Sequence, residues 1–129
     1  MSNFRAQLER AYKVKVEEKL DDVTRDTALI LHGQLIQDTP VDTSRAKSNW
    51  WPDIDNVNIE IKEPDDGVAS EAKMKEVMKS YKLGDTIYIS NNLPYIRPLN
   101  DGTSVQQPEG FVERAVQVAN RKAKELAKT

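Results

Sequence analysis

The stretch Ile89-Ser-Asn-Asn-Leu-Pro-Tyr-Ile-Arg-Pro-Leu-Asn-Asp-Gly-Thr-Ser-Val-Gln-Gln-Pro-Glu-Gly-Phe-Val112 runs from a strand end, through an irregular connector, into a helix start. Turn residues recur at close intervals: Asn91, Asn92, Pro94, Pro98, Asn100, Asp101, Gly102, Pro108 and Gly110. Apolar anchors are interleaved with them, at Leu93, Tyr95, Ile96, Leu99 and Phe111. A disordered linker lacks such anchors. A long ordered connector in a small domain usually has a task, and no catalytic set lies within it. Tyr95 is expected to be its main anchor, with Pro94, Gly102 and Phe111 setting its shape.

Downstream, Pro108 suits a first helical turn. Val112, Val116, Ala119, Ala123 and Leu126 follow at 4-3-4-3 spacing, which predicts a C-terminal helix. Basic residues gather at its end, where the macrodipole favours them.

Upstream, Thr86-Ile-Tyr-Ile-Ser90 alternates apolar with polar, as does Val57-Asn-Ile-Glu-Ile-Lys62. Both read as strands of an antiparallel sheet with one wet face. Between them, Pro64-Asp-Asp-Gly67 signals a turn. Residues 70–81 place Met74, Val77, Met78 and Tyr81 on one helical face, which predicts an amphipathic helix capped by Ser70 or Asp66. Trp50-Trp51 opens a further strand in this reading. Adjacent tryptophans on a strand point to opposite faces, so one is expected in the core, while the other either stands at the surface as an interface anchor or is covered with it by the long N-terminal helix. Asp42, Thr43 and Ser44 are good N-caps for a short helix over about 44–49.

Residues 2–37 contain no proline and one glycine, Gly33. Val16, Leu20, Val23, Thr27, Ile30, Leu31 and Leu35 form a helical stripe, and Phe4, Leu8, Ala11 and Tyr12 extend it upstream. The segment reads as one helix of roughly 50 Å at 1.5 Å per residue. That length exceeds what a small domain covers, so its first turns either project toward a partner or fray. The helix must end before Pro40. The fold class is therefore α+β. A long N-terminal helix and a C-terminal helix pack on a small antiparallel sheet, with an extra amphipathic helix between strands, in one domain over residues 1–129.

With 129 residues, the chain can bury roughly two thirds of its unfolded surface. A net charge of −2 argues against an autonomous nucleic-acid binder. No stretch approaches the roughly 20 apolar residues of a membrane span, and no signal-peptide segment opens the chain. The absence of cysteine removes disulfide and thiolate chemistry.

Candidate chemistry is thin. His32 is the only histidine, and no Gly-x-Ser-x-Gly elbow offers it a nucleophile. It is expected as a partly exposed helix residue. Asp21-Asp22, Asp53-x-Asp55 and Asp65-Asp66 are paired carboxylates of the kind that hold Mg²⁺, but two of the pairs lie in turns, where Asp serves local hydrogen bonds. The five glycines are isolated, so no phosphate cradle forms. No catalytic, cofactor or metal residues are assigned.

Two blocks carry a resemblance. Thr39-Pro-Val-Asp-Thr-Ser-Arg45, at the end of a long helix, resembles the "tPVDTGxLrxS" element of the phage tail-completion and neck family, which includes the tail-completion protein of lambda-like phages. Asn91 to Val112 resembles that family's "N-x-x-P-Y-A-x-x-x-E-x-G-T-S-x-Q-x-P-x-G-F" element. The resemblance covers most of residues 4–127. Ser44 stands where the family has Gly, so a positive φ is not expected there. Asn100 stands where the family has Glu, which removes a charge. The resemblance implies a structural protein of the virion, without turnover or cofactor, built in the host cytoplasm. It implies a homo-oligomeric ring of six or twelve copies at the head-to-tail junction or tail end. Neighbours would be the connector or adaptor and the tail tube or terminator, with genomic DNA passing through the lumen and no membrane contact. Contact candidates are Pro40, Asp42, Thr43, Arg45, Trp50, Trp51, Asn91, Pro94, Tyr95, Asn100, Gly102, Thr103 and Ser104. The competing readings are a metal-dependent phosphoryl-transfer enzyme using Asp53 and Asp55, and a DNA-binding module using the last helix.

Overall fold

The computed structural model describes residues 2–40, 44–103 and 109–128. Helix α1 spans Ser2–Asp38. A single 3₁₀ turn, Lys47–Asn49, leads into strand β1, Trp51–Ile54. Helix α2 (Val68–Ser80) precedes strand β2 (Ile87–Ser90). The connector holds a short helical turn α3 (Ile96–Pro98) and a wider turn over Leu99–Thr103, and helix α4 spans Phe111–Ala127. Strands β1 and β2 pair antiparallel, with Trp51 opposite Ser90 and Ile54 opposite Ile87. The architecture is α+β, as its periodicities predict. Among the described residues, no helix is long and apolar enough to cross a membrane.

Helix α1 runs unbroken because Ala, Leu, Lys, Glu, Gln and Arg dominate it, Gly33 is its one glycine, and proline first appears at position 40. Its C-terminal half buries Leu35 and Ile36 against Trp50, Phe111 and Ala115. Leu31, Ile89, Ile96, Leu99 and Val112 close around that cluster. Each large apolar side chain buried in it stabilises the fold by roughly 1.5–3 kcal/mol. Helix α4 lies antiparallel to α1: Phe111 meets Leu35 and Ile36, while Ala127 lies beside Val16, Leu20 and Val23. Ala115 and Ala119, both fully covered, allow the two backbones to approach closely.

Helix α2 is held at both ends by side chains from elsewhere. The Asp65 carboxylate accepts the N–H groups of Gly67 and Ala69, each at 3.0 Å. Asp65 is therefore the cap, rather than Ser70 or Asp66, because Gly67 takes a left-handed φ of 86° and folds the chain back over Asp65. At the other end, Arg25 of α1 donates to the carbonyls of Met78 and Tyr81 and lies 5.0 Å from the Tyr81 ring centroid. These carbonyls belong to the last turn, where no intrahelical donor remains, and the cation above the ring adds to the hold.

Two expectations fail here, and the open alternative for the tryptophans is decided. Residues 57–62 form no strand; Val57, Ile59 and Ile61 are 53%, 70% and 47% exposed. The strand partner of β2 is β1 instead, where Pro52 is tolerated because a two-stranded sheet has only edges. Both tryptophans are buried, Trp50 at 5% and Trp51 at 4% exposure. The Trp50 indole N–H donates to Thr39 Oγ1 (2.8 Å) and the Trp51 indole N–H to Asn49 Oδ1 (3.2 Å), so no indole faces outward. Ser44 does take a positive φ, 57°. Its carbonyl accepts the Ser48 N–H at 3.0 Å and its hydroxyl donates to Asp66 at 2.9 Å. These bonds hold Ser in the conformation that Gly adopts without strain.

Candidate functional site

The second block meets the chain directly after the first, at Ala46. Asn91, first residue of the connector, donates from Nδ2 to the Ala46 carbonyl (2.9 Å), and its Oδ1 accepts the Leu93 N–H (3.2 Å). One amide side chain thus ties the 39–51 turn to the 91–110 connector and shapes the connector's first turn. Leu93 and Phe111, 3% and 0% exposed, pin the two ends of the connector. Tyr95 is only half-buried and lies outside the core cluster, so the main anchors are Leu93 and Phe111.

Among the other candidates, Pro40 is buried, Arg45 half-buried, and Pro94 and Gly102 exposed. Thr103 ends the wider turn, and Asp42, Thr43, Ser104 and the Pro108 helix start lie outside the described residues.

Asn100 occupies its position through both ends of its amide. Its Nδ2 donates to the two Glu113 carboxylate oxygens at 3.0 and 2.9 Å, and its Oδ1 accepts the Val112 N–H at 2.9 Å. Its backbone carbonyl also accepts the Gly110 N–H (2.6 Å). Asn100 therefore caps α4 from across the connector. The Asn100 donor holds the Glu113 carboxyl below its ordinary range, so Glu113 stays ionised. A carboxylate at position 100 has no donor to offer Glu113. The exchange of Glu for Asn therefore exchanges one kind of contact for another. Asn100, Asp101, Glu109, Gly110 and Glu113 line an open hollow of about 320 Å³.

Gly102 has φ 97°, and a Cβ there would lie 3.1 Å from the Glu109 Cβ. Gly102→Ala is expected to cost about 1–2 kcal/mol from the left-handed backbone alone. A lowered denaturation midpoint with an unchanged slope would report it, and an unchanged midpoint would contradict this account of the connector.

A buried polar node lies beneath these loops. His32 is 2% exposed, rather than partly exposed as expected, and its Nε2 lies 2.8 Å from Ser70 Oγ and 3.2 Å from the Trp50 carbonyl. Ser70 Oγ in turn donates to the Trp50 carbonyl. Because that carbonyl only accepts, Nε2 carries the proton and Nδ1 does not. The His–Ser distance is that of a nucleophile and its base, but Ser70 is fully buried and its proton is committed to Trp50. The node is a structural bridge between α1, α2 and Trp50, the residue that leads into β1. Spacing gave no signal for it, since its members are 18 and 38 residues apart.

Burial pushes the His32 pKa below 6.5, outweighing the Trp50 carbonyl and the nearby Glu71 charge. The unfolded chain therefore binds a proton near pH 6.5 that the folded chain refuses. Stability is fully present above pH 6.5 and falls below it, by at most about 1.4 kcal/mol per pH unit, until the folded pKa is reached. His32 is the only histidine, so unfolding midpoints measured from pH 8 to 5 should bend near 6.5. His32→Gln should flatten that bend, and a bend that survives it would exclude His32 as the source.

The acidic pairs serve the backbone. Asp53 Oδ1 accepts the Ile54 N–H (2.9 Å) and Asp55 Oδ1 the Thr86 N–H (2.7 Å). Among the described residues, no group of three or more His, Asp or Glu side chains could hold a metal ion. No protein-family profile, curated protein or solved structure matches this chain.

Proposed function

We propose that this chain is a structural virion protein of a tailed phage, forming a homo-oligomeric ring at the neck or tail end. The observation that carries the reading is the N-terminal half of α1. Arg5 and residues 7–18 are all exposed, with Leu8 at 56%, Tyr12 at 73%, Val14 at 51% and Val16 at 40%. Helix α4 ends at Ala127, beside Val16 and Leu20, so the turns before Val16 extend past it by roughly 20 Å at 1.5 Å per residue. An apolar stripe of this length outside the core marks an interaction surface. The two sequence blocks and the anchored connector point the same way. Ring neighbours would be connector and tail proteins, and a net charge of −2 limits adhesion to DNA in a lumen.

The phosphoryl-transfer reading has less support, since Asp53 and Asp55 are engaged with backbone N–H groups. Sedimentation across a concentration series, alone and with connector and tail preparations, tests the proposal. A discrete species of six or twelve copies with an annular image is expected. A monomer under every condition overturns it, and a steeply salt-dependent affinity for duplex DNA would favour the binding-module reading.

A further inference from the structure

Among the described residues, two apolar surfaces stand largely uncovered at opposite ends of α1, with only Val16 touched by the end of α4. One is the stripe Leu8, Tyr12 and Val16 on the projecting half of α1. The other is the ridge Val57, Ile59 and Ile61, which left the sheet yet kept its apolar side chains in solvent. The ridge is fastened near the C-terminal end of α1: the Lys62 N–H donates to Asn49 Oδ1 (2.7 Å), Asn49 Nδ2 donates to the Lys62 carbonyl (2.8 Å), and Ser90 Oγ donates to the Asn58 carbonyl (2.8 Å). Tyr12 and Thr39 are separated by roughly 40 Å of rigid helix, so one chain cannot bring its own stripe onto its own ridge.

Their charges are complementary. Residues 5–19 carry five basic and three acidic side chains, a net +2, whereas residues 53–66 carry six acidic and one basic, a net −5. We propose that the Leu8–Tyr12–Val16 stripe of one copy docks on the Val57–Ile59–Ile61 ridge of the next copy. Apolar contact then supplies the adhesion, and the opposite charges set orientation and exclude stripe-on-stripe pairing. The contact is head-to-tail, and such contacts build a ring when the rotation between copies closes. It rests on the ring reading and adds which surfaces make the ring.

The chain has no cysteine, so introduced ones are unambiguous. Under mild oxidation, Tyr12→Cys mixed with Ile59→Cys is expected to give a disulfide-linked dimer, and neither variant alone should link. The chain carrying both substitutions is expected to give a ladder of linked oligomers whose last band counts the copies in the ring. Ile59→Asp, at an exposed position, should keep the wild-type melting temperature and lose the oligomer. An oligomer that persists in Ile59→Asp without a 12–59 link overturns this contact and leaves the ring standing. A link in Tyr12→Cys alone overturns it in favour of paired stripes. A wild-type chain that stays monomeric under every condition overturns ring and contact together.

Discussion

Phe111→Ala lowers the stability of the folded chain by about 3–5 kcal/mol. Phe111 is fully buried, opens α4, and touches the Leu35–Ile36–Trp50 cluster in the core. Truncation there removes the aromatic surface and leaves a cavity under the helix start, directly after the left-handed Gly110 (φ 81°). The neighbouring caps limit how far the site can collapse: Asn100 fixes the Val112 N–H, and the Arg114 N–H is fixed on the Gly110 carbonyl (3.0 Å). Urea unfolding should show the full loss as a shifted midpoint with an unchanged slope. Tyr95→Ala is the control. Its side chain is half-buried, so its loss should be clearly smaller. Equal losses would restore Tyr95 as the anchor and contradict the packing described above.

That contrast separates what was legible in the sequence from what was not. The long helices were legible because each has a stripe at helical spacing and proline or glycine at its limits. Strand β2 was legible because its alternation reflects a real difference between its two faces. Val57–Lys62 has the same alternation without a sheet. A pattern of period two states which side chains share a face, not what covers that face. The true partner strand, Trp51–Ile54, is four residues long and contains a proline, so it carries almost no periodic signal. Tyr95 is the aromatic of the connector, yet Leu93 lies deeper. Ser44 was read by its propensity, and its two hydrogen bonds to Ser48 and Asp66 overrode that propensity. The node of His32, Ser70 and Trp50 depends on residues far apart in sequence, so no local rule could reveal it. In the candidate site, both blocks are legible in the sequence, but the bond from Asn91 to Ala46, just beyond the first block, is visible only in three dimensions.

The unpartnered ridge makes Asn49 more than a core residue. Asn49 is fully buried, and its amide is saturated. It donates to the carbonyls of Arg45 (2.7 Å) and Lys62, and it accepts from the Trp51 indole and the Lys62 N–H. Asn49→Leu keeps the branched shape and removes all four bonds. The Lys62 groups can turn to water, but the Trp51 indole N–H, in a residue 4% exposed, cannot. The expected cost is about 2–4 kcal/mol, dominated by buried groups left without partners. The same change frees Lys62 from the 3₁₀ turn and leaves the ridge held on that side only by the Ser90 bond to the Asn58 carbonyl. Amide exchange at Lys62 should therefore quicken far more than at Leu35 or Ala115, since local opening no longer requires the core to open. Because the 57–61 ridge loses its footing, assembly should weaken in Asn49→Leu even at temperatures where the monomer stays folded. Uniform quickening at Lys62, Leu35 and Ala115 would show that Asn49 supports the whole fold and does not act as a local fastening for the ridge.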